Sequence, residues 1–296
     1  MRSEGRILLI GQGITTLTAL QSLLDRFDVV GLVRSSDSGD AAIRLASASG
    51  ISLFADTSLA GVTDAIKQVD PDAVVVSSYD RILPADLVAT RPFVNVHYAP
   101  LPRYRGRATV NWAVINGDSH CAISIHALVP DLDAGGILFQ QFVPIGPSDT
   151  VTDLYERLNA IQRDSLAGAV ARHLDGDEGR SQDESQATYE PPCGDEHAKI
   201  DFAKPARAVF NLVRGCDPQP GAHAELDGKR VRLYDAALQA SASNAPPGTI
   251  VGIEPDAMRI ALAGAQLAVK RARVDPSPRK VAPMELSELR VGARLS

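Results

Sequence analysis

Cysteine is scarce in this 296-residue chain: Cys121, Cys193 and Cys216 are odd in number, far apart in sequence and never arranged as C-x-x-C. That excludes a disulfide framework and a thiolate zinc centre, and it predicts a reducing compartment. Aromatic residues make up only 5%, and no apolar run approaches the roughly 18 to 20 residues that span a bilayer. The N-terminal MRSEGRILLIG sets its charges too close to a short apolar strand for a signal peptide, so a cytoplasmic location without membrane contact is expected. Positive charge is not in excess either. Against 30 Lys and Arg stand 36 Asp and Glu, net −6; residues 1–185 hold 15 basic and 23 acidic groups, net −8, and residues 186–296 hold 15 and 13, net +2. A chain whose main partner is a polyanion shows a basic field, because phosphate contacts supply most non-specific affinity. Internal repeats and low-complexity tracts are also missing.

What is present is an ordinary globular composition, 45% hydrophobic and 22% charged, with chain enough for two domains. Apolar strand-like runs at 6–11, 29–33, 51–54, 73–77 and 93–97 alternate with helical stretches at 14–25, 39–49 and 59–69. This predicts an α/β fold with an open, doubly wound, mostly parallel sheet covered on both faces. Two more strands are expected at 121–128 and 136–145. A long amphipathic helix over 150–174, with Val151, Leu154, Leu158, Ile161, Leu166 and Val170 at near-helical spacing, should close the first domain. The polar, acidic, Gly- and Pro-punctuated stretch 173–197 reads as a surface linker. The expected organisation is a catalytic domain over 1–185, a linker over 186–203 and a small β-barrel domain over 204–296. The last is built from a helix at 204–214 and short strands at 222–226, 230–234, 249–253, 259–262 and 266–273.

One window carries chemistry. In F-V-N-V-H, Asn95 and His97 alternate along a strand and project from the same face, roughly 6.5 to 7 Å apart. They sit at a strand's C-terminal end before a Pro-rich turn, where ligands of open α/β sheets bind. Histidine offers a proton acceptor or electrophile near neutral pH, and asparagine an amide donor for a developing oxyanion. On their own, a strand histidine is more often packed than catalytic, and Asp131-Leu132-Asp133-Ala134-Gly135-Gly136 reads as a turn. Together they propose a carboxylate that orients His97 and holds its protonated form.

The run N-V-H (95–97), L-P-R-Y-R-G-R (101–107), N-W-A-V-I-N-G-D (111–118), I-H (125–126) and L-D-A-G (132–135) resembles the formyltransferases that use 10-formyltetrahydrofolate. The interval of 36 residues from His97 to Asp133 fits too, as do Asp80-Arg81-Ile82-Leu83-Pro84 and residues 199–234. The resemblance implies a Rossmann-like catalytic domain followed by an OB-like β-barrel. It implies Asn95, His97 and Asp133 as the catalytic trio, Asn95 and protonated His97 stabilising the oxyanion and Asp133 anchoring His97 and relaying the proton. It implies 10-formyltetrahydrofolate as formyl donor, the pterin lying against Arg81, Ile82, Leu83, Val129, Pro130, Asp131 and Leu132, and no metal. Two departures stand out: Tyr98-Ala99-Pro100-Leu101-Pro102 where Ser-Leu-Leu-Pro often follows the histidine, and Leu132-Asp133-Ala134-Gly135-Gly136 where L-D-T-G-D is common.

The C-terminal domain is similar to that of the methionyl-tRNA and sugar-nucleotide branches of the family. A basic, Gly-rich insertion after the second strand would suit tRNA, whereas residues 34–40 are short and acidic. The expected acceptor is therefore the primary amine of a small molecule, a nucleotide-linked amino sugar or a natural-product intermediate, with Gly11, Gly13, Tyr98, Arg103, Arg105 and Arg107 as candidate contacts. Methionyl-tRNA is the alternative. A formyltetrahydrofolate hydrolase and a non-enzymatic nucleic-acid binder using the basic segment 270–280 rank lower, and assembly as a homodimer stays open. Gly11-Gln12-Gly13-Ile14 lacks the third glycine of a dinucleotide fingerprint. A metal site from His97, His126 and Asp133 lacks a ligand-pair motif, and His126 reads as structural.

Overall fold

The computed structural model describes residues 4–35, 40–241 and 243–296. In chain order the elements are β1 Arg6–Ile10, α1 Thr15–Leu24, β2 Asp28–Val33, α2 Ala41–Ala48, β3 Ser52–Phe54, α3 Leu59–Val69, β4 Ala73–Ser77, α4 Ala85–Val88 and β5 Phe93–His97. They continue with β6 Arg105–Gly106, α5 Thr109–Ile115, β7 His120–Ala127, β8 Ile137–Pro144, α6 Val151–Leu174 and β9 Tyr189–Glu190. The remainder are α7 Ala206–Gly215, β10 Ala222–Leu226, β11 Lys229–Gln239, β12 Ile250–Ile253, β13 Met258–Leu262 and β14 Ala265–Val274. Among the described residues no helix is long and apolar enough to cross a membrane.

Contacts divide the chain into two compact units, one of residues 1–106, 121–143 and 156–190, the other of 107–120, 144–155 and 191–296. The first five residues of α6 thus belong to the second unit, so the helix does not simply close the first.

A seven-stranded sheet of order β3-β2-β1-β4-β5-β7-β8 centres the first unit. β1 to β5 run parallel, and β7 turns antiparallel to β5. The central β4, Ala-Val-Val-Val-Ser, is buried along its whole length, as a parallel strand covered on both faces must be. One face packs Leu8, Ile10, Val74, Val76 and Phe93 against Val62, Ala65, Ile66 and Val69 of α3. Those four fall on one stripe of α3, and Ser58 caps that helix by accepting from the Gly61 N–H at 3.1 Å.

The second unit holds a five-stranded antiparallel sheet, β10-β11-β14-β13-β12. β11 extends beyond the expected 230–234, keeping one register with β14 from Val231 to Gln239 although Asp235 has a φ of +46°. The final residues run along both outer strands. Gly292 donates to Ile250 O and Ile250 donates to Ala293 O (both 2.8 Å), while Glu225 and Ser296 exchange backbone bonds at 2.7 and 3.0 Å. α5 also packs in this unit: Asn111 Nδ2 donates to Gly215 O (2.8 Å) and Trp112 Nε1 to Pro191 O (2.8 Å).

Candidate active site

β5 delivers two of the three expected side chains. Its antiparallel register with β7 sets Asn95 opposite His126 and His97 opposite Ser124. The loop after β7 brings in Asp133, whose φ of +50° is a left-handed conformation that Asp tolerates better than most residues. Asn95 Nδ2 lies 3.3 Å from Asp133 Oδ1, and Gly106 N–H donates to Asp133 Oδ2 at 2.9 Å. His97 and Asp133 are buried, at 8% and 6% exposure.

The imidazole of His97 is anchored differently from the expectation. Its Nε2 donates to the Tyr104 carbonyl at 2.7 Å, whereas Nδ1 stands 3.8 Å from Asp133 Oδ2, beyond hydrogen-bond reach. A carbonyl oxygen only accepts, so Nε2 carries the proton and Nδ1 is the nitrogen left for exchange. Tyr104 supplies the anchor, and the Asp133 carboxylate faces Nδ1 across 3.8 Å.

Burial alone would push the Asp133 carboxyl up. The charge of His97 and the Gly106 N–H outweigh it and hold the carboxyl well below the usual carboxylate range. A depressed folded value means stability that is present above the unfolded pKa of about 3.9 and lost as pH falls through the folded one. In denaturant unfolding followed from pH 7 to pH 2, the wild-type protein should lose more stability than Asp133→Asn below about pH 4. Parallel curves would show that the carboxylate is not held in this way.

The polar stretch 173–197 is not a free linker, which corrects the sequence reading. Residues 180–190 brace the site. Gln182 Nε2 donates to Asp133 O (2.7 Å) and Gly135 O (2.8 Å). Thr188 accepts from Tyr104 N–H (2.8 Å) through its hydroxyl and from Arg105 N–H (2.8 Å) through its carbonyl, and β9 pairs with β6. These contacts pin Tyr104 and Asp133, whose φ values of +61° and +50° each cost on the order of 1 kcal/mol or more. The departure at Gly136 now has a reason: a Cβ there would stand 1.9 Å from Glu178 O, so the pattern's aspartate has no room beside this segment.

Arg105 is a second correction. It is fully buried, with Nη1 and Nη2 donating to Glu184 (2.8 and 2.6 Å), Tyr189 OH (2.9 Å) and Gln182 Oε1 (2.9 Å), so it ties the brace to the loop and is not placed to grip a phosphate. Arg103 and Arg107 are exposed, Arg103 lying over the Tyr104 ring at 5.1 Å. Tyr98 is buried, its hydroxyl 2.5 Å from Gln162 Oε1 and 2.7 Å from Asn159 Oδ1. Gly11 and Gly13 are required by packing, since a Cβ would meet Ser77 O at 2.5 Å and Ser78 Cβ at 2.8 Å. Arg34 donates to the carbonyls of both glycines (3.1 and 3.2 Å) and pairs with Asp40 (2.5 Å). Residues 36–39 of the 34–40 loop lie outside the described residues.

Of the expected folate contacts, Arg81, Ile82, Val129, Pro130, Asp131 and Leu132 are exposed and Leu83 is buried. Leu83 and Leu128 share one apolar cluster, which gives the two loops a common base. Sequence reasoning missed Gln182, Glu184 and Thr188, and it took His126 as structural. The register that sets His126 opposite Asn95 is the signal that finds it.

The profile described as formyl transferase matches residues 27–170, and the one described as formyl transferase, C-terminal domain, matches 194–285. The chain is 33% identical over 271 residues to the methionyl-tRNA formyltransferase of Streptococcus equi subsp. equi (strain 4047), with 86% of each chain covered. In structure it is similar to HypX from Aquifex aeolicus in complex with tetrahydrofolic acid, with a TM-score of 0.75 and 17% identity over 96% of this chain; this chain spans only 47% of HypX. It is also similar to the N-formyltransferase from Helicobacter canadensis in complex with folinic acid and dTDP-3-aminofucose, with a TM-score of 0.66 and 16% identity, covering 89% of this chain and 98% of that one.

Proposed function

The chain belongs to the formyl transferase family, and from that premise we propose that it moves a formyl group from 10-formyltetrahydrofolate to a primary amine. The observation that carries this reading is the convergence of Asn95, His97 and Asp133 at the C-terminal end of β5. In formyl transfer an amine nitrogen attacks the formyl carbon, the carbonyl oxygen gains negative charge, and a proton passes from the attacking nitrogen as the folate N10 departs. Asn95 donates to the oxyanion. His97 Nδ1 exchanges the proton, because Tyr104 O occupies Nε2, and Asp133 stabilises the imidazolium across 3.8 Å. The exposed side chains of Ile82, Val129 and Leu132 offer apolar surface to a pterin.

For the acceptor, the relatives named methionyl-tRNA formyltransferase support the amino group of methionyl-tRNA, since they align over most of both chains. The amino-sugar reading keeps one support, the net −8 of residues 1–185. An OB-like closure of the second sheet and a cytoplasmic location belong to the same proposal.

Tetrahydrofolate release should be measured without acceptor, with methionyl-tRNA and with nucleotide-linked amino sugars. Release only with the tRNA supports the proposal. Release only with an amino sugar replaces its acceptor, and release without any acceptor makes the protein a hydrolase.

A further inference from the structure

A second histidine lies inside the catalytic cluster. His126 is fully buried on β7, and its ring stands edge-on to that of His97 with centroids 6.4 Å apart. Its Nδ1 is 2.9 Å from the Ala127 carbonyl, which only accepts, so Nδ1 carries a proton. Its Nε2 is 3.2 Å from Asn95 Nδ2, which only donates. The pairing is satisfied when Nε2 is unprotonated, so the ring is the neutral Nδ1–H tautomer.

Asn95 Nδ2, His126 Nε2 and Asp133 Oδ1 form a nearly equilateral triangle with sides of 3.2, 3.3 and 3.5 Å. By the cosine rule on these distances, the two acceptors subtend about 65° at the amide nitrogen. The two N–H bonds of a carboxamide diverge by about 120°, so both cannot point straight at the pair. With one N–H directed between His126 and Asp133, the other is turned outward.

We infer that His126 is a positioning residue: the lone pair on its Nε2 fixes the plane of the Asn95 carboxamide so that the outward N–H faces the oxygen of the bound formyl group. This rests on the proposed formyl transfer and adds a residue to it. Asp133 alone fixes one direction of the amide, and a second acceptor fixes its rotation. A donor that must be in place before charge develops gains rate from such preorganisation.

The test is a double-mutant cycle on kcat, with folding checked by thermal melts. His126→Leu should lower kcat by about thirtyfold with KM for 10-formyltetrahydrofolate changed by less than about twofold. His126→Gln, whose amide oxygen can accept from Asn95, should recover most of that loss. In an Asn95→Ala background, His126→Leu should change kcat by less than about twofold, because there is no carboxamide left to orient. A full loss in that background, or a wild-type rate for His126→Leu, would overturn the inference.

A readout without turnover keeps it separable from the family reaction. In protein labelled with 15N-histidine, six ring systems are present, and the one missing from His126→Gln is assigned to His126. Near pH 8 that ring should show a protonated Nδ1 and a bare Nε2, with Nε2 shifting in Asn95→Ala. The opposite tautomer or a persistent imidazolium would overturn the inference even if no acceptor has been found. Absence of turnover with every amine would count against the proposed function alone.

Discussion

His97→Ala should lower kcat by about a thousandfold while the dissociation constant for folate stays within about twofold of wild type. The size follows from what the ring does. Nε2 is committed to Tyr104 O at 2.7 Å, so Nδ1 is the one nitrogen that can take the proton released by the attacking amine, and alanine offers no substitute. Binding should survive because the expected folate surface lies on the loops around Ile82 and Val129–Leu132, not on β5. Single-turnover rates and equilibrium titration with a non-transferable folate separate the two quantities. A near-normal rate would remove His97 from the chemistry. A matching loss of affinity would make it a binding residue instead.

The second large effect concerns Gly136. Gly136→Asp should destabilise this protein. A Cβ at 136 would stand 1.9 Å from the Glu178 carbonyl, a backbone atom that cannot rotate away. Relief requires residues 178–180 to separate from Ile137, with which Arg180 exchanges backbone bonds at 2.8 and 3.0 Å. Overpacking of this kind costs about 3 kcal/mol, a fall in Tm of about 6 to 12 °C for a unit of this size. Activity should fall with it, because Gln182 leaves the Asp133 carbonyl when its segment moves. An unchanged melting temperature in Gly136→Asp would show that the brace yields easily and would weaken its assigned role.

Much of this architecture is legible in the residues. The alternation of apolar runs with 3.6-period stretches places β1 to β5 and α1 to α3 within a residue or two, because short-range periodicity determines them. Asn95 and His97 announce themselves by alternation within one strand. What the sequence hides depends on distant partners. Arg105 looks like a surface cation until Glu184, 79 residues on, closes over it. His126 acquires a role only through the antiparallel register that sets it against Asn95. The segment 180–190 has a linker's composition because its polar side chains are occupied by backbone groups of other loops, and composition cannot separate that from solvation. The backbone angles of Tyr104 and Asp133 are equally invisible, being imposed by Thr188 and Gln182.

The way the last residues run along both outer strands of the second sheet bears on solubility. An open strand edge is a template that recruits strands from other chains. Here residues 292–296 bind Ile250 on one side and Glu225 on the other, and His223 is further covered by Ala198 and Ile200, so neither edge is left bare there. Proteolytic removal of those five residues would leave the backbone of Ile250 and Glu225 open to pairing with another strand.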